Sequence, residues 1–246
     1  MSGIPTELLA ALEAGDLPIL EAYGLTELIC CAFNTPRAHR ESSVGRAMLG
    51  CEIRIAEEDG EILLRGPQMF SGYLNDAAAT EEVVKDGWLH TGDIGRLDED
   101  GFLYITGRKK EFIKTSTGKK IAPLAIENLC KRNHLISNVM VYGDNRKYLV
   151  ALFTLNALEL LGFAAARKIE ERNPAALARH PAVQAAIEET VAFVNTQVSR
   201  TEQIKRHAIL EADFSIEAYE ITPTGKVKRN VVAERYRDRI ESLYAE

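Results

Sequence analysis

At 246 residues, 46% of them hydrophobic and 27% charged, the chain can form one large or two modest domains, each with a buried core. Its net charge of −6 argues against a general nucleic-acid binder, because a phosphate-neutralising surface needs a local basic excess. The opening MSGIPTELLAALEAGD has no basic region followed by a long apolar run, and nowhere does the chain approach the roughly 18 to 20 apolar residues of a membrane span.

The expected location is therefore cytoplasmic, with any membrane contact peripheral. Cys30, Cys31, Cys51 and Cys130 have neither metal-ligand spacing nor the density of a disulfide scaffold, so reduced thiols are expected.

The first elements read as α/β. IPTELLAALEAGD has helical apolar spacing and a Gly-Asp stop, and PILEAYG is a short apolar run ending at glycine, as a buried strand does. From Val44 the pattern becomes strand-rich. CEIRIAEEDGEILLRG predicts a hairpin around Asp59-Gly60, and IGRLDEDGFLYITGR predicts another around Asp100-Gly101. After Arg108 a mixed α+β pattern follows: a helix opening at Pro123, strands in SNVMVYG and KYLVALFTL, and a long helix from Pro181 towards His207. The expected divisions are 1–43, an α/β piece; 44–108, β-rich; and 109–246, a small α+β domain.

Two stretches, TSTGKKIAP (115–123) and ITPTGKVKR (221–229), carry a lysine after Thr-Gly. Neither is a Walker loop, which needs a glycine five positions before the second and a hydroxyl after the lysine. Those places hold Ile113 and Lys120 in the first, Glu220 and Val227 in the second. If these lysines touch phosphate, they act as single mobile charges.

YGLTE (23–27) puts an aromatic ring, a hydroxyl and a carboxylate at a strand's end, a corner suited to adenine, phosphate and magnesium. The same five residues also fit an ordinary strand-to-helix turn with Thr26 as cap. GWLHTGD (87–93) ends in Asp93, a carboxylate able to accept from two ribose hydroxyls or simply an Asp turn. In GRKK, Arg108 offers a fork of donors or a solvated basic face.

Taken in order, YGLTE, GEILLRGPQMFSGYLN, GWLHTGD, DGFLYITGRKKEFIK and PTGKVKR resemble the successive motifs of the adenylate-forming superfamily, from about Ile19 to the end. GRKKEFIKTSTGKKIAP and the helical stretch before EQIKRHAIL are similar to its long-chain fatty acyl-CoA synthetase branch. The resemblance implies the C-terminal part of that fold, with a small mobile C-terminal domain. It implies ATP, Mg2+ and coenzyme A as cofactor and co-substrates, with a fatty acid as substrate.

It also implies roles by position: Tyr23 stacking on adenine, with Gly24 beside it in the nucleotide site; Thr26 on a phosphate oxygen; Glu27 on magnesium; Asp93 and Arg108 at the ribose. Lys226 corresponds to the adenylation lysine, Lys110 to the hinge, and Lys114 to Gly118 to the loop serving the thioester step.

Family members place a phosphate loop and most of an acyl tunnel well upstream of YGLTE, where this chain has 22 residues. MSGIP resembles a Ser-Gly-Gly-Ala-Pro stretch with its middle missing. The expectation is a synthetase portion inactive alone. The alternatives are a half-enzyme needing a separate N-terminal partner and a non-catalytic nucleotide-binding module. Residues 1 to 45 are expected to show association through an exposed sheet or local disorder. The acceptor is coenzyme A or a carrier protein.

Overall fold

The computed structural model describes residues 19–245 apart from Thr224. The expected helix over IPTELLAALEAGD and the MSGIP stretch lie outside the described residues. The chain divides near Phe112 and Ile113 into two compact units, each with its own core.

In the first unit both Asp-Gly segments make hairpins. Strands β4 (Glu52–Ile55) and β5 (Glu61–Arg65) pair antiparallel across a turn in which Gly60 has φ +75°, and the Asp59 side chain accepts from the Glu61 amide. Strands β7 (Trp88–Leu97) and β8 (Leu103–Arg108) pair across Asp98–Gly101, where the Asp98 carboxylate accepts from the Asp100 and Phe102 amides. Local side-chain bonds of this kind are why such turns are readable in sequence.

Strand β7 is long enough to pair with β5 along one edge, and with β8 and β6 (Val84–Lys85) on the other. Ile62, Leu64, Leu89 and Leu103 bury one face of this sheet against Tyr23, Leu28, Cys31, Ala32 and Val44.

The expected buried strand in PILEAYG shrinks to β1 (Ala22–Tyr23), paired antiparallel with β2 (Ala32–Phe33), which pairs in turn with β3 (Arg46–Ala47). No helix follows Thr26. The chain folds back at once, with the Cys31 amide bonding the Tyr23 carbonyl at 2.9 Å, so the capped-turn reading of YGLTE fails. Gly24 permits this fold-back: a Cβ there would stand 2.4 Å from the Cys30 nitrogen.

The second unit is a three-stranded sheet of order β11 (Ile136–Tyr142), β12 (Leu149–Leu155), β13 (Ile204–Ile209). All seven residues of β12 are buried, as the unbroken apolar run KYLVALFTL requires of a strand covered on both faces. Ala151 and Phe153 join the core formed with helices Pro123–Cys130 and Pro181–Gln197, while Val150 and Leu152 pack with Val232 and Ile240 of the C-terminal helices. The alternation of the strand thus assigns each helix layer its side.

The expected helix from Pro181 towards His207 stops at Gln197. Ser199 to Glu202 turn, and IKRHAI becomes β13, parallel to β12. The open edge of β12 supplies ladder bonds that outweigh helical propensity there, and the intervening helices form the crossover that a parallel pair needs.

Candidate functional site

The first unit assembles a carboxylate site by strand register. Asp93 and Arg108 are direct partners across β7 and β8, which places Arg108 Nε 3.3 Å from Asp93 Oδ1. The Tyr23 hydroxyl donates to Asp93 Oδ2 at 2.6 Å. Asp93 sits at the end of a bulge: β5 pairs Leu63 with His90 and Glu61 with Ile94, so Thr91, Gly92 and Asp93 oppose Ile62 alone. Such bulges re-aim a side chain out of a ladder.

Two bonds brace this one. The Thr91 hydroxyl donates to the Ile62 carbonyl at 2.7 Å, and the Gly92 amide donates to Glu61 Oε1 at 2.8 Å. With Asp93 held from below by Tyr23 and flanked by Arg108, the arrangement presents hydrogen-bond acceptors beside cationic donors, which suits a vicinal diol.

Tyr23 is placed differently from its implied role. Its ring is 2% exposed, packed in the core, and what it offers the site is its hydroxyl. Stacking on adenine requires an uncovered ring face. Burial first, then the Asp93 charge, pushes the phenol's pKa upward, so it remains a donor to Asp93 throughout the neutral range.

Thr26 is exposed, and Glu27, half-buried, accepts from the Tyr73 hydroxyl at 2.5 Å. The loop that carries Tyr73 is docked by its backbone, with the Phe70 amide on the Glu27 carbonyl at 2.7 Å and a bridge between Leu28 and Met69. Among the described residues no cluster of three His, Cys, Asp or Glu side chains could hold a metal. A single carboxylate nevertheless fits magnesium, which takes one or two protein ligands and completes its shell with phosphate oxygens and water.

A second network surrounds Glu61, whose side chain is 5% exposed. Its Oε2 lies 2.7 Å from Lys109 Nζ and 3.0 Å from His90 Nδ1, and Lys109 also pairs with Asp59 at 2.7 Å. Burial alone would raise the Glu61 pKa, but the bonds from Lys109, His90 and the Gly92 amide override it and hold the carboxyl below its ordinary range.

A carboxylate with a depressed folded pKa contributes stability that is present above about pH 4.3 and lost as pH falls through the folded value. Glu61→Gln is accordingly expected to flatten the loss of urea stability between about pH 5 and pH 3, and an unchanged acid limb would remove Glu61 from that response.

Lys110 is exposed on the short 3-10 turn Lys109–Glu111 that follows Arg108. The remaining implied residues lie in the second unit, on two loops of the same construction. In Thr115–Lys119 the Thr115 amide donates to the Lys119 carbonyl, the Gly118 amide to the Thr115 carbonyl, and the Lys119 amide to the Thr115 hydroxyl. Thr222–Lys226 repeats all three bonds, with Gly225 at φ +75° where Gly118 has +81°.

The T-x-T-G-K pattern therefore encodes a tight lysine-presenting turn instead of a phosphate-wrapping loop. Lys226 is half-buried at the end of one turn, and Lys114, opposite Lys120 in the β9 (Ile113–Lys114) and β10 (Lys120–Ile121) pair, stands exposed beside the other. A Cβ at Gly118 would meet nothing within 4 Å. The cost of Gly118→Ala is then backbone strain alone, about 1 to 2 kcal/mol in urea unfolding; a loss well above that would reveal packing against the loop.

Sequence reasoning missed Glu61, Tyr73 and Thr91 as parts of the site. Glu61 left one signal, a carboxylate at the head of the apolar run ILL. A groove of about 720 Å³ in the second unit, lined by Leu135, Phe163 and Phe193 among others, includes none of the candidate residues. No helix among the described residues is long and apolar enough to cross a membrane.

The AMP-binding enzyme family matches residues 2–74, and the AMP-binding enzyme C-terminal domain matches residues 110–246. The chain belongs to this family of adenylate-forming enzymes. It is 42% identical, over 98% of its length, to a putative fatty-acid–CoA ligase, fadD11, of Mycobacterium tuberculosis. It is 41% identical over 93% to the long-chain-fatty-acid–CoA ligase FadD15 of the same organism, and 38% over 94% to the long-chain-fatty-acid–CoA ligase ACSBG2 of Gallus gallus.

The chain covers 43%, 38% and 33% of those relatives. Among solved structures, the adenylation domain of a carboxylic acid reductase from Segniliparus rugosus, in complex with AMP and a carboxylic acid, superposes with TM-score 0.73 at 22% identity. That match covers 99% of this chain and 38% of the other. O-succinylbenzoate coenzyme A synthetase of Bacillus subtilis, in complex with AMP, gives 0.63 at 24% identity, covering 92% and 43%. The mixed α/β architecture is that of adenylate-forming enzymes.

Proposed function

We propose that this chain carries the ribose-binding and lysine-bearing part of a long-chain fatty-acid–CoA ligase. In the reaction, a fatty carboxylate oxygen attacks the α-phosphorus of ATP and pyrophosphate leaves. The coenzyme A sulfur then attacks the acyl carbon of the resulting acyl-AMP, and AMP leaves. The observation that carries this reading is Asp93, raised on a braced bulge between the Tyr23 hydroxyl and Arg108. The 38 to 42% identity to named CoA ligases favours coenzyme A over a carrier protein as acceptor.

In this reading Asp93 accepts from the ribose hydroxyls and Arg108 adds donors at the same sugar. Thr26 donates to a phosphate oxygen, with Gly24 bringing the YGLTE backbone close enough to serve it. Glu27, oriented by Tyr73, would hold magnesium, which when bound neutralises phosphate charge. Lys226 stabilises the negative charge that gathers between carboxylate and α-phosphate. Residues 109–246 act as the mobile domain about Lys110, and the Lys114–Gly118 loop, with its glycine, lets the pantetheine arm approach.

Calorimetric titration with a non-hydrolysable acyl-AMP analogue tests the reading. Saturable binding at one site per chain is expected, and a folded chain that takes up no heat would overturn the nucleotide site.

A further inference from the structure

Glu61 is buried on β5, where a neighbouring apolar residue would pack without the desolvation cost of a carboxylate. Its two oxygens are committed in different directions. Oε1 holds the Gly92 amide, one residue before Asp93. Oε2 holds the Lys109 ammonium, one residue after Arg108 and one before Lys110. A single side chain therefore touches the neighbours of both ribose candidates. We propose that Glu61 is a positioning residue for the nucleotide site: one oxygen sets the bulge that presents Asp93, and the other anchors the segment leading from Arg108 to Lys110. This inference rests on the reading of Asp93 as a nucleotide ligand.

The bulge needs the bond. Gly92 has φ +71° and lies where three residues of β7 oppose one of β5, so its amide has no ladder partner at that point; Glu61 supplies one from the side. The segment needs it for another reason. Lys109 belongs to a three-residue 3-10 turn with no side-chain cap, and its ammonium bonds to Asp59 and Glu61 tie that turn to the sheet. His90 Nδ1, at 3.0 Å from the same Oε2, faces a carboxylate oxygen that can only accept and so adds a third donor.

Because the two oxygens do separate work, variants separate them. Glu61→Gln keeps an acceptor for Gly92 and gives up the charge that holds Lys109. Lys109→Met gives up the same ion pair from the other side, and Glu61→Leu gives up both functions. The readouts, on the whole chain, are amide exchange at Gly92 and Asp93, chymotryptic cleavage after Phe112 followed by mass, and affinity for the acyl-AMP analogue.

Glu61→Gln and Lys109→Met are expected to speed cleavage after Phe112 about tenfold and to weaken the analogue about threefold through the loosened Arg108 segment, while leaving Gly92 exchange close to that of the parent. Glu61→Leu is expected to speed cleavage equally, to raise exchange at Gly92 and Asp93 about tenfold and to weaken the analogue by a similar factor.

A uniform rise in exchange across β4 to β8 in all three variants would overturn the proposal in favour of a purely structural carboxylate. So would a Glu61→Leu chain with parental exchange at Gly92. Should Glu61→Leu fail to fold, the contrast between fast cleavage and preserved Gly92 exchange in the other two variants decides. If the parent binds no analogue while the exchange and cleavage pattern appears, the coupling stands and the nucleotide reading falls; if the analogue binds and the pattern is missing, the reverse holds.

Discussion

Asp93→Ala is expected to lower affinity for the acyl-AMP analogue about a hundredfold and to cost the fold about 2 kcal/mol, measured by titration and urea unfolding. The two effects have different sources. Stability falls because the Tyr23 hydroxyl, buried with its ring, loses its 2.6 Å acceptor and is left unsatisfied. The Arg108 pair contributes little of it, since the guanidinium side is 43% exposed. Affinity falls because the charge-assisted acceptor for the sugar is gone.

Asp93→Asn separates the two, because the amide oxygen still accepts from Tyr23: stability stays near the parent while affinity drops. Tyr23→Phe gives the complement, removing the strut while leaving the carboxylate, and should weaken binding by less than tenfold. Parental affinity in Asp93→Ala would remove Asp93 from the nucleotide site.

The parts of this arrangement that sequence could show are the local ones. The Asp59-Gly60 and Asp98 to Gly101 turns declare themselves because each aspartate bonds amides within four residues. The paired T-x-T-G-K turns are visible for the same reason. The meeting of Asp93 with Arg108 depends instead on two register shifts in β7, which alternation alone cannot count. Tyr23 reaches Asp93 across 70 positions of sequence, and Tyr73 reaches Glu27 across 46. Strand β13 was hidden because its six residues gain their identity from the edge of β12.

This division has a functional side. Two motif residues that sequence singled out in the first unit rest on ones it did not: Asp93 on the bulge braced by Glu61 and Thr91, and Glu27 on Tyr73. Reactive groups follow residue-type rules, whereas their supports are chosen by geometry, so the supports become legible only once the strands are paired.

Lys226 gives the sharpest test of the chemistry. Its backbone is pinned at both polar atoms, the amide on the Thr222 hydroxyl at 3.0 Å and the carbonyl by the Thr222 amide at 2.8 Å. Alanine keeps both bonds, so Lys226→Ala should leave urea stability within about 0.5 kcal/mol of the parent. On the proposed reading, acyl-adenylate formation, measured as fatty-acid-dependent exchange of pyrophosphate into ATP, should fall about 10²- to 10³-fold, or roughly 3 to 4 kcal/mol of transition-state stabilisation. Analogue binding to this chain should change little, because the lysine acts where charge develops during transfer and the analogue carries no such charge. Thr222→Ser, which preserves the hydroxyl, should retain most of the rate, and Thr222→Val should lose part of it by loosening the turn. An exchange rate within threefold of the parent in Lys226→Ala would show that this turn presents its lysine to something other than the reacting phosphate.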